Sequence, residues 1–239
     1  MAINRRDFLR MSAAFTAAGM SPSLFAATKE QFTIYGAPAM PSVTIAVAAA
    51  QGKLAKQADV ALEIWRSPDQ LRAGVASGQF KVMMSPSNVG VNLRNQGQQV
   101  GMVNILTNGI TQLMCKSTPI TSPQELVGKK ILVPFKNDMP DIVLQALLKK
   151  LNIDINKVDI TYAATPTEAI GLFLLKDFHA AILPEPMASA VVQKAKIVGT
   201  EIVRGFDLVK EWGQAFNTKP LIPMAGIIAN EEYFHAHKA

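Results

Sequence analysis

Two short loops, ninety-eight positions apart, carry the side chains best suited to recognition chemistry in this chain: Ser85-Pro86-Ser87-Asn88 and Pro184-Glu185-Pro186-Met187. Each follows a short apolar run, and each run follows a helical pattern opened by a capping residue and a proline, Ser67-Pro68 in the first copy and Thr165-Pro166 in the second. Phe80 corresponds to Phe178 and Pro86 to Pro184 at the same spacing. Glu185 stands where the first copy has Ser87. A carboxylate there either receives an amine or amidine or caps the next helix, and capping is the simpler reading. Three further loops at strand ends, Gly36–Ser42, Thr107–Gly109 and Phe135–Asp138, offer neutral donors and acceptors, one cation and one aromatic ring. The expected contact set is Ala37, Pro38, Ser42, Ser85, Ser87, Asn88, Thr107, Asn108, Phe135, Lys136, Asn137, Glu185 and Met224. Within it, Lys136 pairs an anion or is a solvated charge, Phe135 stacks on a flat group, Ser42 binds or caps a helix, and Asn88 binds or shapes a turn. This is the chemistry of noncovalent capture, which needs convergent polar groups held on rigid elements.

Covalent chemistry has less to work with. His179 opens a strand, while His235 and His237 lie at the end of the chain, and none has a partner at metal-ligand spacing. Ser85 lacks a nucleophile-elbow sequence, and no glycine-rich phosphate loop follows a strand. Cys115 is alone, which excludes a disulfide framework and a cysteine metal site and fits a small buried residue on a strand. No catalytic residue, metal or cofactor is expected.

The elements that position these loops alternate. Strands are expected at Gln31–Tyr35, Val60–Trp65, Lys81–Met84, Gln99–Leu106, Ile110–Lys116, Ile131–Pro134, Val158–Tyr162, His179–Leu183, Glu201–Arg204 and Met224–Ala229. Helices are expected at Val43–Ala50, Ser67–Ser77, Val89–Arg94, Ile142–Leu151, Met187–Ala195, Leu208–Phe216 and Glu231–His237, with a further one opened by Thr165 and carrying Ala169, Ile170, Phe173 and Leu174 at helical spacing. Asp138 and Asp141 read as helix-start residues, and Thr107-Asn108-Gly109 as a turn. A repeat of this length is too long for a solenoid. It predicts two similar α/β lobes whose loops, at the carboxyl ends of strands, face each other across a cleft. The chain divides into residues 1–27 as a leader, 28–116 as the first lobe, 117–219 as the second, and 220–239 as a return to the first.

The chain has 239 residues, of which 49% are hydrophobic, enough for two small cores. Its net charge of +6 falls by two when Arg5, Arg6, Asp7 and Arg10 are set aside with the leader. No run of Lys and Arg interleaved with aromatics occurs, so nucleic acid is not an expected partner. Asn4-Arg5-Arg6-Asp7-Phe8-Leu9-Arg10 resembles a twin-arginine export signal, followed by weakly apolar Ser12–Met20 and small residues at Ala26-Ala27. That stretch is too short and too alanine-rich to span a bilayer. No cysteine lies near that end for a lipid anchor. The expected location is the periplasm or the outer face of a bacterial membrane.

Leu126-Val127-Gly128-Lys129-Lys130-Ile131 resembles the second-lobe entry of periplasmic solute-binding proteins of ABC importers, in the nitrate, sulfonate and bicarbonate group. Leu144–Leu151 with Asn152-Ile153-Asp154, Thr165–Ala181 with Pro184-Glu185-Pro186, and Pro223-Met224-Ala225-Gly226-Ile227 fit the same family in order and spacing. The resemblance implies a type II two-lobed periplasmic binding fold with mixed sheets and a ligand cleft between lobes. It also implies a monomer that captures a small polar or anionic organic solute, such as nitrate, a sulfonate or taurine, for a permease and ATPase. Two features depart from the family. Its members ordinarily continue past the position of Ala239 with helices on the first lobe, so this sequence reads as short, as a fragment, or as a variant with an open flank. The loop after Ile131–Pro134 is often Gly- and Ser-rich in the family, where this chain has Phe135-Lys136-Asn137. An exported enzyme or cofactor-binding protein on the same fold, or a receptor for pyrimidine precursors, is the alternative. The eukaryotic pyrimidine-precursor synthases of this fold carry a Cys-rich iron motif that one cysteine does not supply, and an export leader does not suit the menaquinone-pathway enzymes.

Overall fold

The computed structural model describes residues 31–52 and 58–237, so the leader expected at 1–27 lies outside the described residues. The first half runs β1 (Gln31–Gly36), α1 (Met40–Ala50), β2 (Asp59–Ile64), α2 (Pro68–Ala76), β3 (Val82–Pro86), α3 (Ser87–Asn95) and β4 (Val100–Asn108). The second half runs β5 (Thr111–Lys116), β6 (Lys130–Pro134), α4 (Met139–Lys150), β7 (Asp159–Ala163), α5 (Pro166–Leu175), β8 (Ala180–Pro184), α6 (Met187–Ile197), β9 (Ile202–Arg204) and α7 (Leu208–Phe216). The chain then returns as β10 (Pro223–Asn230) and α8 (Glu231–Ala236).

The strands form two five-stranded sheets, ordered β2-β1-β3-β10-β4 and β7-β6-β8-β5-β9. The orders are equivalent position by position. In each sheet the central strand has a parallel neighbour, β1 or β6, and an antiparallel one, β10 or β5. Even the register agrees: Val82 of β3 pairs with Ile34, and Ala180 of β8 with Ile131. The sequence repeat is therefore a repeat of supersecondary structure. Its local cause is visible in the caps. Ser67 accepts a hydrogen bond from the Gln70 amide, Thr165 accepts one from the Glu168 amide, and each helix has a proline in its first turn. β8 is buried along its whole length, as a central strand covered on both faces must be.

Separate cores stabilise the two units. Trp65, Leu71, Phe80, Met83 and Met84 pack under the first sheet. The second sheet buries Leu126, Val133, Leu144 and Leu147 in one cluster and Leu132, Phe173, Ala181 and Leu183 in another. A smaller cluster of Val143, Ile222 and Met224, with Trp212 against it, lies where the chain passes between the sheets. The passages are short, at 109–110 and at 217–222. They are tied together by the Gly109 amide donating to the Ile222 carbonyl at 2.9 Å.

The strand expected at Ile110–Lys116, read as the first crossing into the second lobe, begins at Thr111 and is hydrogen-bonded into the second sheet between β8 and β9. Two local readings change. Thr107 and Asn108 are not a turn but the last residues of β4, because β10 supplies partners as far as Asn108. Ser42 is not a cap: α1 starts at Met40, Ala39 is its capping position without a side-chain bond, and Ser42 is already inside the helix. No helix among the described residues is long and apolar enough to cross a membrane.

Candidate functional site

The carboxyl ends of β1, β3, β6 and β8 meet in the space between the two sheets. A cavity of about 60 Å³ there is lined from the first unit by Ala37, Pro38, Ala39, Pro41, Trp65, Pro86, Met224 and Ala225. Ile110, Thr111, Phe135, Met139, Pro140 and Pro184 line it from the other side. Both repeat corners, Pro86 and Pro184, thus open on the same space. They occupy equivalent places: Pro86 pairs with Ala225 across β10, and Pro184 pairs with Thr111 across β5.

The wall is mostly apolar and contains no charged side chain. Trp65 is held by its indole N–H, which donates to the Met84 carbonyl at 3.0 Å. Three helices, α1, α3 and α4, begin at the wall, and α6 begins three residues beyond Pro184. Their amino ends give the region a positive potential without a formal charge. Among the described residues, two buried side-chain polar atoms have no hydrogen-bond partner, Thr111 Oγ1 in the wall and Asn88 Oδ1 near it. Groups of this kind are ordinarily satisfied by protein, water or ligand. The cavity lies where the two units approach each other.

Direct contacts bridge the units. The Met40 amide donates to the Glu185 carbonyl at 3.0 Å. Ser87 Oγ lies 3.7 Å from Met139 Sδ and donates to the Pro223 carbonyl at 2.8 Å. Asn88 Nδ2 donates to Asp138 Oδ1 at 3.0 Å, and Arg72 Nη2 lies 3.4 Å from Asp138 Oδ2. Asp138 is 1% exposed, and burial raises its pKa, although Asn88 and Arg72 pull the other way.

The expected contact residues divide by position. Ala37, Pro38, Phe135 and Met224 line the cavity. Ser87, Asn88 and the backbone of Glu185 touch the opposite unit. The others have separate partners. Ser42 Oγ is buried and donates to the Ala37 carbonyl at 2.5 Å, and Ser85 Oγ is turned to the Pro86 carbonyl at 3.0 Å. Thr107 Oγ1 reaches the Ala225 carbonyl, and Asn108 lies exposed at the end of β4. Lys136 is exposed, with Nζ 5.1 Å from the centre of the Tyr162 ring. The Asn137 amide donates to Asp141 Oδ2 at 2.8 Å. The Glu185 carboxylate accepts from the amide and hydroxyl of Ser189 and pairs with Arg204 at 2.6 Å, as the capping reading expects. Burial opposes its charge, but the Arg204 and Ser189 bonds outweigh that and lower its pKa. Asp138, by contrast, stands at the capping position of α4 and makes no capping bond.

Trp65, Arg72, Thr111, Asp138 and Met139 join the site without having been expected as contacts. Trp65 closes a strand and Thr111 opens one, which flags them as strand-end residues. Arg72 is a mid-helix cation, and nothing local distinguishes it. Among the described residues, no group of three or more His, Cys, Asp or Glu side chains is placed to hold a metal ion.

Two mixed sheets of equivalent order, with strand ends meeting at a common cavity, define the periplasmic binding protein fold of ABC import systems. The chain belongs to the NMT1/THI5-like family, whose model matches residues 40–232. Its fold is similar to that of the periplasmic aliphatic sulphonate binding protein SsuA from Escherichia coli, with a TM-score of 0.66 at 15% identity over 87% of this chain and 68% of that one. A zinc-bound ligand-binding component of an ABC-type import system from Staphylococcus aureus gives a TM-score of 0.67 at 14% identity, over 88% of this chain and 69% of that one. PhnD1 from Prochlorococcus marinus, in complex with methylphosphonate, gives 0.62 at 11% identity over 87% and 79%. No curated protein matches the sequence.

Proposed function

We propose that this chain is the solute-binding component of an ABC importer, outside the cytoplasmic membrane. It captures a small organic solute between its two lobes, as a monomer and without a covalent step, and presents the solute to a permease and its ATPase. The observation that carries the reading is the convergence of the two repeat corners, Pro86 and Pro184, on one cavity. Family membership and the likeness to solved binding components support it. The lobes are taken as 28–116 with the return 220–239, and 117–219, with β5 exchanged into the second sheet.

The lining favours a solute with an apolar body against Trp65, Phe135, Met139 and Met224 and a polar or anionic head near the helix amino ends. The sulphonate and methylphosphonate in the names of the similar proteins are of that type. Hinge opening admits the solute, and binding then favours the closed arrangement through contacts made to both lobes. A thermal-shift panel of sulfonates, phosphonates, carboxylates, nitrate and pyrimidines tests the reading. A solute that binds only the native state must raise the melting temperature. Stabilisation by at least one class, lost when Phe135 is replaced by alanine, is expected. No stabilisation across the panel, or turnover of a stabilising compound, contradicts it. Export by the twin-arginine route is tested by Arg5→Lys with Arg6→Lys, which is expected to retain the protein in the cytoplasm.

A further inference from the structure

We propose that Asp138 is a resident counter-ion of the cleft: its carboxylate, carried by the second lobe, occupies the anion position that Arg72 and Asn88 of the first lobe present, and an anionic solute head binds there by displacing it. The inference rests on the cleft being the solute site. Asp138 is in extended conformation at the capping position of α4, yet its side chain leaves the helix end unserved and reaches across to the other lobe. Both of its side-chain hydrogen bonds are to the first lobe. Its chain neighbours Met139 and Pro140 line the cavity, so a head group in its place leaves the rest of a solute against the apolar wall.

The chemistry of the pair favours exchange. At 3.4 Å the contact with Arg72 is long for a charge-assisted bond, and the Arg72 side chain is 40% exposed and shared with Asp69 on its own helix. Asn88 contributes one N–H, while its own carbonyl oxygen is buried without a partner. Desolvation of the carboxylate outweighs what these two donors return, which is why its pKa is raised. A carboxylate released to water regains its hydration, and a stronger or better-placed anion takes over Arg72 and Asn88. Two cations beside cleft loops are engaged elsewhere, Lys136 over Tyr162 and Arg204 on Glu185.

Calorimetric titration with methanesulfonate as the probe tests this on the full chain, comparing the unmodified protein with Asp138→Ala, Asp138→Asn, Arg72→Gln and the double variant Asp138→Ala/Arg72→Gln. Loss of the resident charge is expected to tighten methanesulfonate binding at least tenfold in Asp138→Ala, with a smaller gain in the isosteric Asp138→Asn, which also serves if the alanine variant does not fold. The gain is expected to vanish in the double variant. Unchanged or weaker affinity in both Asp138 variants, or a gain that survives removal of Arg72, overturns the proposal. No transported solute is needed for this comparison. A gain in Asp138→Ala with no stabiliser in the wider panel therefore sinks the receptor reading alone, while a stabiliser without the gain sinks only the counter-ion.

Discussion

Two carboxylates of the second unit, each between a strand and the helix that follows it, are held in opposite ways, and this sets opposite pH behaviour. Glu185 has a lowered pKa because Arg204 and Ser189 overcome its partial burial. Its stabilising contribution is present above the pKa of the unfolded chain and is lost as pH falls through the folded value. Glu185→Gln is expected to lower stability by about 1 kcal/mol at pH 7, since Arg204 is half exposed and screened. The difference from the parent protein closes in acid. Asp138 has a raised pKa. Its favourable contribution is present below the unfolded value and is lost as pH rises through the folded one. Asp138→Asn is therefore expected to be at least as stable as the parent at pH 7, with any advantage shrinking as pH falls toward the ordinary aspartate range. Melting temperatures of both variants at neutral and acid pH check the two signs together. Glu185 was readable from its place between two prolines before a helix. The bridging role of Asp138 was not, because an aspartate before a helix reads as a cap, and only the fold brings Arg72 and Asn88 within reach.

The repeat unit of capped helix, central strand and proline corner is the element on which the site is built, and it was the most legible part of the chain. Its caps, helix start and strand end match at constant spacing in both copies. Ser67→Ala and Thr165→Ala are accordingly expected to lower stability by similar amounts, about 1 kcal/mol each, in denaturant melts. Elements defined by distant partners were harder to read. β4 runs through the expected turn at Thr107-Asn108 because β10, more than a hundred residues later, pairs with it. That pairing is irregular at Gly226, where an added Cβ would collide with the Asn104 carbonyl oxygen. Gly226→Ala is expected to force β10 from β4 and to lower stability by about 1–3 kcal/mol, seen as a reduced denaturation midpoint. The same approach of backbones explains Pro223-Met224-Ala225-Gly226-Ile227 physically: a return strand has to fit between two strands already placed.

At the scale of the molecule, the two sheets are copies that exchange their antiparallel strands, so two short passages join them. The Gly109 amide and the Ile222 carbonyl tie those passages together, which makes a narrow region for bending and leaves the proline corners to move as parts of rigid lobes. The two-lobed plan followed from the repeat, and Ile110–Lys116 was readable as a crossing strand, but its place between β8 and β9 was not, because both partners lie far along the chain. Of the cleft, the strand-end loops were legible and the apolar wall was only partly so: Phe135 and Met224 were expected, but Trp65, Thr111 and Met139 acquire their role through packing. The account stands on closure of these lobes around a solute. Its most direct test is a distance measurement between spin labels at Val91→Cys and Leu175→Cys, exposed sites on opposite lobes, with the native Cys115 buried and unreactive in the folded protein. A broad distribution without solute that shifts and narrows when the stabilising solute is added is the expected result. An identical distribution with and without that solute contradicts the account.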